Sequence, residues 1–115
     1  MLNSKSDSEI LSVANPIMDN LMNASTNIDH EGHIRDFTER LKAIVAKDYF
    51  ERICKQYQEE KGVFAERKYV AIFRRPNAVA VVWKQHFTKQ EGEFAAEILL
   101  VEQGSRYLVD HAMVW

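Results

Sequence analysis

The sequence has little cysteine, little net charge and no long apolar run. Its one cysteine, Cys54, excludes an internal disulfide bond. The formal net charge is -2 and the isoelectric point is about 6.1, which excludes a strongly basic nucleic-acid binder. Every uncharged run is far shorter than the roughly 20 residues that a membrane-spanning helix needs.

Several familiar signals are also missing. Residues 1–9 are polar and have no apolar signal core, so we expect a cytoplasmic protein. The sequence has no phosphate-binding glycine loop, no nucleophile elbow and no Cys-x-x-Cys pair. Motifs therefore do not name an activity, and the architecture is the more informative guide.

The composition of the chain changes near Gly62. Residues 1–62 space their apolar side chains as helices do, whereas residues 63–115 hold most of the aromatic and many of the β-branched residues, which favour strands. A length of 115 residues with 46% hydrophobic content suits one domain, 1–115, whose core needs no metal or disulfide. We expect residues 1–7 to be a flexible N-terminus.

The first helix is predicted from about Ser8 to Asn23. Ser6 and Glu9 have the spacing of a capping box at its start. Pro16 lies within this stretch, so either the helix is kinked there or it begins at Asn15 as N-cap with Pro16 as the first helical residue. Because the apolar stripe continues across Pro16, we expect one kinked helix. The stripe consists of Ile10, Ala14, Ile17 and Leu21.

Two further helices are predicted before Gly62. The second begins at Asp29, a favourable N-cap, and the third runs from about Lys47 to Lys61. The two could also be continuous, because the junction at residues 46–48 has no strong helix breaker, although Asp48 could cap a new helix. Gly62 has the position of a C-terminal capping glycine. The second stripe is Ile34, Phe37, Leu41 and Ile44, and the third is Phe50, Ile53, Cys54 and Tyr57.

Four strands fill the second half, and their connections are short. A parallel crossover needs a dozen or more residues, so neighbouring strands must be antiparallel. The fold class is therefore α+β, with N-terminal helices packed on an antiparallel four-stranded sheet. The strands are predicted at about Ala65–Arg74, Ala78–Thr88, Glu93–Glu102 and Arg106–Val114.

Both sets of alternating residues in these strands are largely apolar. A sheet with one solvated face would alternate more clearly between apolar and polar residues. One layer of helices covers only one face. We therefore expect a homodimer in which a second copy covers the other face of the sheet.

The order of elements and a few aromatic positions resemble the nuclear-transport-factor-2-like superfamily, whose members have a cystatin-like cone. The similarity lies in the stretches Gly62–Val70, Val81–Lys84 and Gly104–Val109, which look like those of small bacterial members of uncharacterised function. The resemblance implies a curved sheet around an interior pocket, which hosts isomerases, dehydratases and non-catalytic binders. Many members insert a strand or hairpin between the helices, and none is predicted here.

His86 is the best candidate for proton transfer, because an imidazole titrates near physiological pH. Asp110 or Glu97 could orient it if the strand register brings them together. The alternative is a histidine at the solvent edge of a strand. Asp110 and His111 are neighbours on one strand and must point to opposite faces, which argues against a catalytic pair.

A ligand-rich segment contains Asp29, His30, Glu31, His33 and Asp36. Helical spacing could bring two of these side chains to one metal ion, but a dedicated site needs three or four convergent ligands. Helix capping already explains the acidic residues. We expect a polar helical turn, with no metal and no cofactor.

These observations favour a non-enzymatic domain that binds a small molecule or another protein. Its apolar pocket would lie between helices and sheet, and a small hydrophobic ligand is the expected occupant, with neither nucleic acid nor membrane as a partner. The alternative is a lyase or isomerase that acts on a hydrophobic carbonyl compound with His86 as the proton-transfer residue. The expected pocket residues are Tyr57, Trp83, Phe87, Phe94 and His111.

Overall fold

A computed structural model describes residues 1–115 and has an α+β fold, as predicted. The helices precede the strands, and none of them combines the length and apolar character needed to cross a membrane. The elements are a 3-10 turn at Leu2–Ser4, α1 at Asp7–Thr26, α2 at His30–His33, α3 at Glu39–Ile44, α4 at Lys47–Lys61, β1 at Phe64–Arg75, β2 at Ala78–Phe87, β3 at Phe94–Gln103 and β4 at Arg106–Val114.

The four strands form one antiparallel sheet in the order β1-β2-β3-β4. Each strand agrees with the sequence prediction to within one residue at either end. Gly104, with a φ of +62°, occupies the turn between β3 and β4, a conformation that glycine adopts at little cost. The short connections therefore produce the predicted meander.

The core lies between α1 and one face of the sheet, which we call the inner face. Burial alternates along β2 without interruption, so every second residue of that strand points toward the helices. The register places matching residues of β3 beside them. The most deeply buried inner-face residues are Val79, Val81, Trp83, Gln85, Ala96, Ile98 and Leu100.

Helix α1 is a single helix that contains Pro16, as the continuous apolar stripe predicted. The capping box is confirmed: the Glu9 amide donates to the Ser6 hydroxyl, and the Ser6 amide donates to the Glu9 carboxylate. After Thr26 the chain turns at Ile28, whose φ of +51° is unusual for a β-branched residue. The helix packs on the sheet through Ile10, Ala14, Met18, Leu21 and Met22.

The prediction of one helix following Asp29 is wrong. Two short helices, α2 and α3, are separated by residues 34–38, which run beside β4. The Val109 amide donates to the Asp36 carbonyl at 2.7 Å, and the Thr38 amide donates to the Val109 carbonyl at 2.9 Å. These bonds to the sheet edge replace helical ones, and Phe37 is buried at the crossing.

The N-terminal residues are packed against the sheet, which corrects the expectation of a flexible segment 1–7. The Leu2 side chain is buried in the core cluster, and its amide donates to the Glu102 carboxylate at 3.2 Å. Asn3 donates to the Arg75 carbonyl at 2.7 Å. The free energy gained by burying the leucine side chain exceeds the conformational entropy that is lost when these residues become ordered.

Gly62 ends α4 in the predicted capping position, with a φ of +84°. A Cβ atom there would also collide with the Thr88 hydroxyl, because the chain after β2 passes close to this point. The Thr88 hydroxyl accepts from the Val63 amide at 3.0 Å. The glycine therefore permits both the end of the helix and the start of the sheet.

Trp83 occupies the centre of the inner face and is 2% exposed. Its indole N–H donates to the Asn15 side-chain oxygen at 3.2 Å. The Arg67 guanidinium lies 5.2 Å from the ring centre and forms an ion pair with Asp19 on α1 at 2.6 Å. The ring therefore joins β2, β1 and α1 through packing and through its one polar atom.

Replacement of Trp83 with alanine should lower the free energy of unfolding by about 3–5 kcal/mol, because it leaves a cavity at the centre of the core. Denaturant unfolding measures this loss. Tyr49→Ala is the matched control, since this exposed aromatic residue of α4 should contribute about 0.5 kcal/mol or less. Equal losses in the two variants would contradict the assigned core position.

Candidate functional site

The face of the sheet turned away from the helices, called the outer face below, has no covering element. Strand register and alternation bring its side chains into rows that cross all four strands. The rows run in the order β1, β2, β3, β4: Arg75, Ala78, Val101 and Leu108; then Phe73, Ala80, Leu99 and His111; then Ala71, Val82, Glu97 and Met113; then Lys68, Lys84, Ala95 and Trp115.

The outer face exposes several large apolar side chains. Phe73 is 54% exposed, Met113 49% and Trp115 68%. Smaller residues such as Ala80 and Leu99 fill the space between them and are half-buried by their neighbours. Exposed apolar side chains grouped in this way are uncommon on a monomer.

Most charged residues of the outer face lie at one end of the strands, the charged end. Lys84 lies 3.0 Å from Glu93, and hydrogen bonding and charge attraction from Lys84 lower the pKa of that carboxyl. His111 lies 3.4 Å from Glu97. The opposite end, near the β1-β2 and β3-β4 turns, carries Arg75, Gln103 and Arg106 beside the apolar residues Ala78, Val101 and Leu108. The apolar part of the outer face is therefore its middle, around Ala80 and Leu99.

His86 and Asp110 are not brought together. His86 lies near the end of β2 on the outer face, where Nδ1 is 3.4 Å from the Glu66 carboxylate. Asp110 lies on β4 and accepts from the Thr38 hydroxyl at 2.7 Å and from Arg40 at 3.1 Å. The bond from Thr38, followed by that from Arg40, lowers the pKa of Asp110. Asp110 therefore joins β4 to the start of α3.

Glu97 does not orient His86 either. It lies in the row of Val82, and its carboxylate is beside His111 rather than His86. His111 itself points to the outer face, beside Leu99. The two histidine and carboxylate pairs that form, His86 with Glu66 and His111 with Glu97, therefore lie on the outer face and not in a pocket between helices and sheet.

Three of the predicted pocket residues meet in an aromatic cluster at the end of the sheet near Gly62. Phe87 is central, with ring centres 6.2 Å from Tyr57 and 5.0 Å from Phe94. Phe64, which the sequence analysis did not select, lies 5.1 Å from Phe87 and 5.2 Å from Tyr57. Phe64 is the first residue of β1 and lies two residues after the capping glycine, a position from which the sequence could have indicated its place beside the end of α4.

The other two predicted pocket residues lie elsewhere. Trp83 is in the core, and His111 is on the outer face. One surface hollow, of about 500 Å³, is open and polar and lies along the β2-β3 connection from His86 to Glu93. A smaller hollow, of about 140 Å³, lies beside Leu2 and Glu102. Neither is lined by Tyr57 or Trp83.

Gln85 is a fully buried polar residue on the inner face that the sequence analysis missed. Its amide nitrogen donates to the carbonyl of Ala65 at 3.0 Å and to that of His86 at 2.9 Å. The register of β1 against β2 shifts at this point, between Phe64 and Arg67. Gln85 therefore satisfies carbonyls that the irregular pairing leaves free, while its side-chain oxygen has no partner.

The ligand-rich segment is occupied by structural contacts. Asp29 accepts from the Gly32 amide, and Asp36 pairs with Arg106 at 3.2 Å. His30 forms a hydrogen bond with the Val45 carbonyl at 2.7 Å. No three histidine, cysteine, aspartate or glutamate side chains of the chain converge as a metal site.

His33 is the one member of this segment with a strongly altered pKa. Burial lowers the pKa of its imidazole to about 4, and the nearby His30 contributes to the decrease. The ring packs 4.6 Å from the Phe50 ring and 5.2 Å from the Phe37 ring, measured between centres. Nδ1 has no hydrogen-bond partner. His33 therefore behaves as a neutral aromatic residue that joins α2 to α4.

Cys54 is buried between α1 and α4, as expected for a small apolar residue. Its thiol lies 3.5 Å from the Ser25 hydroxyl, which also forms a hydrogen bond with the Tyr57 hydroxyl at 2.7 Å. Burial raises the pKa of the Cys54 thiol and that of the Tyr57 hydroxyl. A thiol held neutral in this way is a poor nucleophile.

Comparison with known proteins identifies similar folds but no family. Neither protein-family models nor curated proteins match the chain. The structure of Bdellovibrio bacteriovorus Bd1075 is similar over 95% of this chain, with a TM-score of 0.55 and 14% identity. That match spans 42% of the Bdellovibrio chain, so the present chain corresponds to less than half of it.

A second similar structure is RPA3114 of Rhodopseudomonas palustris, which is described as a SEC-C motif containing protein. The match has a TM-score of 0.55 and 12% identity, and it covers 90% of this chain and 89% of the other. At such identities the likeness concerns the fold alone.

Acidification should destabilise the protein through His33. Its pKa is about 4 in the folded state and 6.5 in the unfolded state, so the unfolded state gains a proton first as the pH falls. Stability is fully present above pH 6.5 and decreases toward pH 4. Between pH 7 and pH 5 the free energy of unfolding should fall by about 2 kcal/mol from this group.

Denaturant unfolding of the wild type and of His33→Phe at both pH values isolates this contribution. The variant keeps an aromatic ring between α2 and α4 but has no titrating group there. It should lose most of the decrease between pH 7 and pH 5. An unchanged pH dependence in His33→Phe would show that another group is responsible.

Proposed function

We propose that this protein is a non-enzymatic interaction domain that forms a homodimer through the outer face. The observation that carries the proposal is the uncovered apolar surface centred on Phe73, Leu99 and Met113. The inner face already has the helices as its cover. A second copy of the chain offers the outer face a surface of the same apolar character.

The size of the outer face supports this proposal. Four strands spaced about 4.8 Å apart, each about ten residues long at roughly 3.3 Å per residue, give a flat area of roughly 600 Å². Stable interfaces bury about 800 Å² of accessible surface per partner. Since projecting side chains add accessible area to a flat surface, the outer face has the dimensions of a standard interface.

The relation to the nuclear-transport-factor-2-like superfamily belongs to the same proposal. The order of helices followed by an antiparallel meander supports it. The backbone bridge between Phe37 and Val109 supplies a strand-like element between the helices, in the region where many members have a strand. A cytoplasmic location is likewise proposed from the sequence.

A small apolar ligand is the second candidate, and the aromatic cluster favours it. Tyr57, Phe64 and Phe94 are each only partly buried, so their rings border solvent at one end of the sheet. A lyase or isomerase has less support, because His86 is paired with Glu66 at the strand end and Asp110 with Thr38 and Arg40 at the sheet edge.

Light scattering at micromolar concentration tests the homodimer. The wild type should have twice the chain mass of 13.4 kDa. Phe73→Asp should dissociate it, because it places a charge in the middle of an apolar contact. The same change at an exposed aromatic residue of α4, Tyr49→Asp, is the control and should leave the dimer intact.

Circular dichroism of both variants checks that the fold is retained, which is expected because Phe73 and Tyr49 are surface residues. A wild-type mass of 13.4 kDa at every concentration would refute the homodimer. So would a Phe73→Asp variant that associates as tightly as the wild type.

A further inference from the structure

We infer that the two-fold axis of this dimer runs parallel to the strands, so that β1 and β2 of one copy face β4 and β3 of the other. The inference rests on the proposed self-association through the outer face and specifies its geometry. It follows from the sizes and charges of the side chains in the outer-face rows.

Two identical sheets that pack face to face have two simple arrangements. With the axis parallel to the strands, each row meets its own counterpart, and β2 lies over β3 of the second copy. With the axis across the strands, each strand meets itself, and the order of rows is reversed. Both arrangements keep the strands of the two sheets aligned, which is a common packing of sheets. Only the fit of the side chains therefore distinguishes them.

Side-chain size favours the axis parallel to the strands. On the outer face β2 presents Ala78 and Ala80, and the residues beside them on β3 are Val101 and Leu99. The parallel axis places each alanine opposite the larger residue of the second copy. With the crosswise axis centred on the row of Ala80, Ala80 would face Ala80 of the second copy and Leu99 would face Leu99. The alanine pair would leave a void, and the leucine pair beside it would collide.

The outer strands show the same complementarity. Ala71 on β1 and Met113 on β4 lie in one row, so the parallel axis brings the small residue of one copy against the large residue of the other. Phe73 would meet His111 of the second copy in the adjacent row. Phe73 and Met113, the two most exposed apolar side chains of these rows, would therefore each pack against a residue of another type and not against themselves.

Charge supports the same arrangement. At the charged end of the outer face Lys68 and Lys84 lie on β1 and β2, whereas Glu93 and Glu97 lie on or next to β3. Glu66 on β1 and Arg106 on β4 break this division, but each is paired within its own chain, with His86 and with Asp36. The parallel axis places Lys84 over the segment of the second copy that Glu93 and Glu97 flank. Opposite charges then meet twice by symmetry, which fixes the orientation of the two copies.

Cross-linking between single-cysteine variants tests the geometry. Ala71→Cys and Met113→Cys, carried on chains of different mass, are mixed and treated with a bis-maleimide that spans about 10 Å, the usual distance between packed sheets. The covalent heterodimer should be the main product. The comparison mixture is Ala71→Cys with Arg75→Cys. It can be cross-linked only if β1 of one copy faces β1 of the other, as the crosswise axis requires, so it should give little cross-linked product.

The wild type treated alike is the control, because Cys54 is buried and should not react. A second readout is dimer affinity: Lys84→Glu should weaken it roughly tenfold, and Lys84→Glu combined with Glu97→Lys should restore it. Loss of the Lys84–Glu93 pair alone would not weaken the fold by a comparable amount, since exposed ion pairs contribute little.

The outcomes separate the geometry from the self-association. If light scattering finds a dimer and the β1-to-β1 mixture cross-links instead, or if neither mixture does, the parallel axis is refuted while the homodimer stands. Failure of the charge exchange to restore affinity also refutes it. If light scattering finds only monomers, the proposed function fails and the geometry with it.

Discussion

The packing of β2 against α1 is the interaction on which the rest of the structure depends. Val79, Val81 and Trp83 are inaccessible to solvent, and they meet a helical stripe that includes Ile10 and Met18. Because β2 is also paired on both sides, its burial determines which face of every other strand points inward. The outer face is the necessary consequence: once one set of residues is buried, the alternate set must project away from the helices.

The edge strand β4 shows how the helical half is joined to this sheet. Backbone bonds from Asp36 and Thr38 to Val109 occupy part of an edge that would otherwise offer free hydrogen-bonding groups. Asp110 and Arg40 reinforce the same junction from the side chains. The carboxylate of Asp110 and the hydroxyl of Thr38, groups that carry active-site chemistry in other proteins, here hold the segment between α2 and α3 against the sheet.

Local signals predicted most of the fold but not its long-range contacts. The Ser6–Glu9 capping box, the Gly62 cap and the strand boundaries were recoverable because spacing and turn chemistry act over a few residues. The break between α2 and α3 could not be predicted in this way. Phe37 has the spacing of a helical residue, and it lies outside the helices because its backbone bridges to Val109, a contact distant in sequence. Of the residues predicted to line a pocket, Tyr57, Phe87 and Phe94 lie together in the structure, while the face of His111 depended on a register that only the structure provides.

The two faces of the sheet differ in how their side chains are covered and paired. On the inner face the indole nitrogen of Trp83 donates to the Asn15 side chain, and the helices cover the apolar residues around this pair within one chain. On the outer face Phe73 and Met113 are exposed and have no covering element. The proposed self-association would cover them, because a second copy turned about an axis parallel to the strands places the small residues of β1 and β2 against the larger ones of β3 and β4. One contact of this kind would account for both the apolar character of the outer face and the order of its residues.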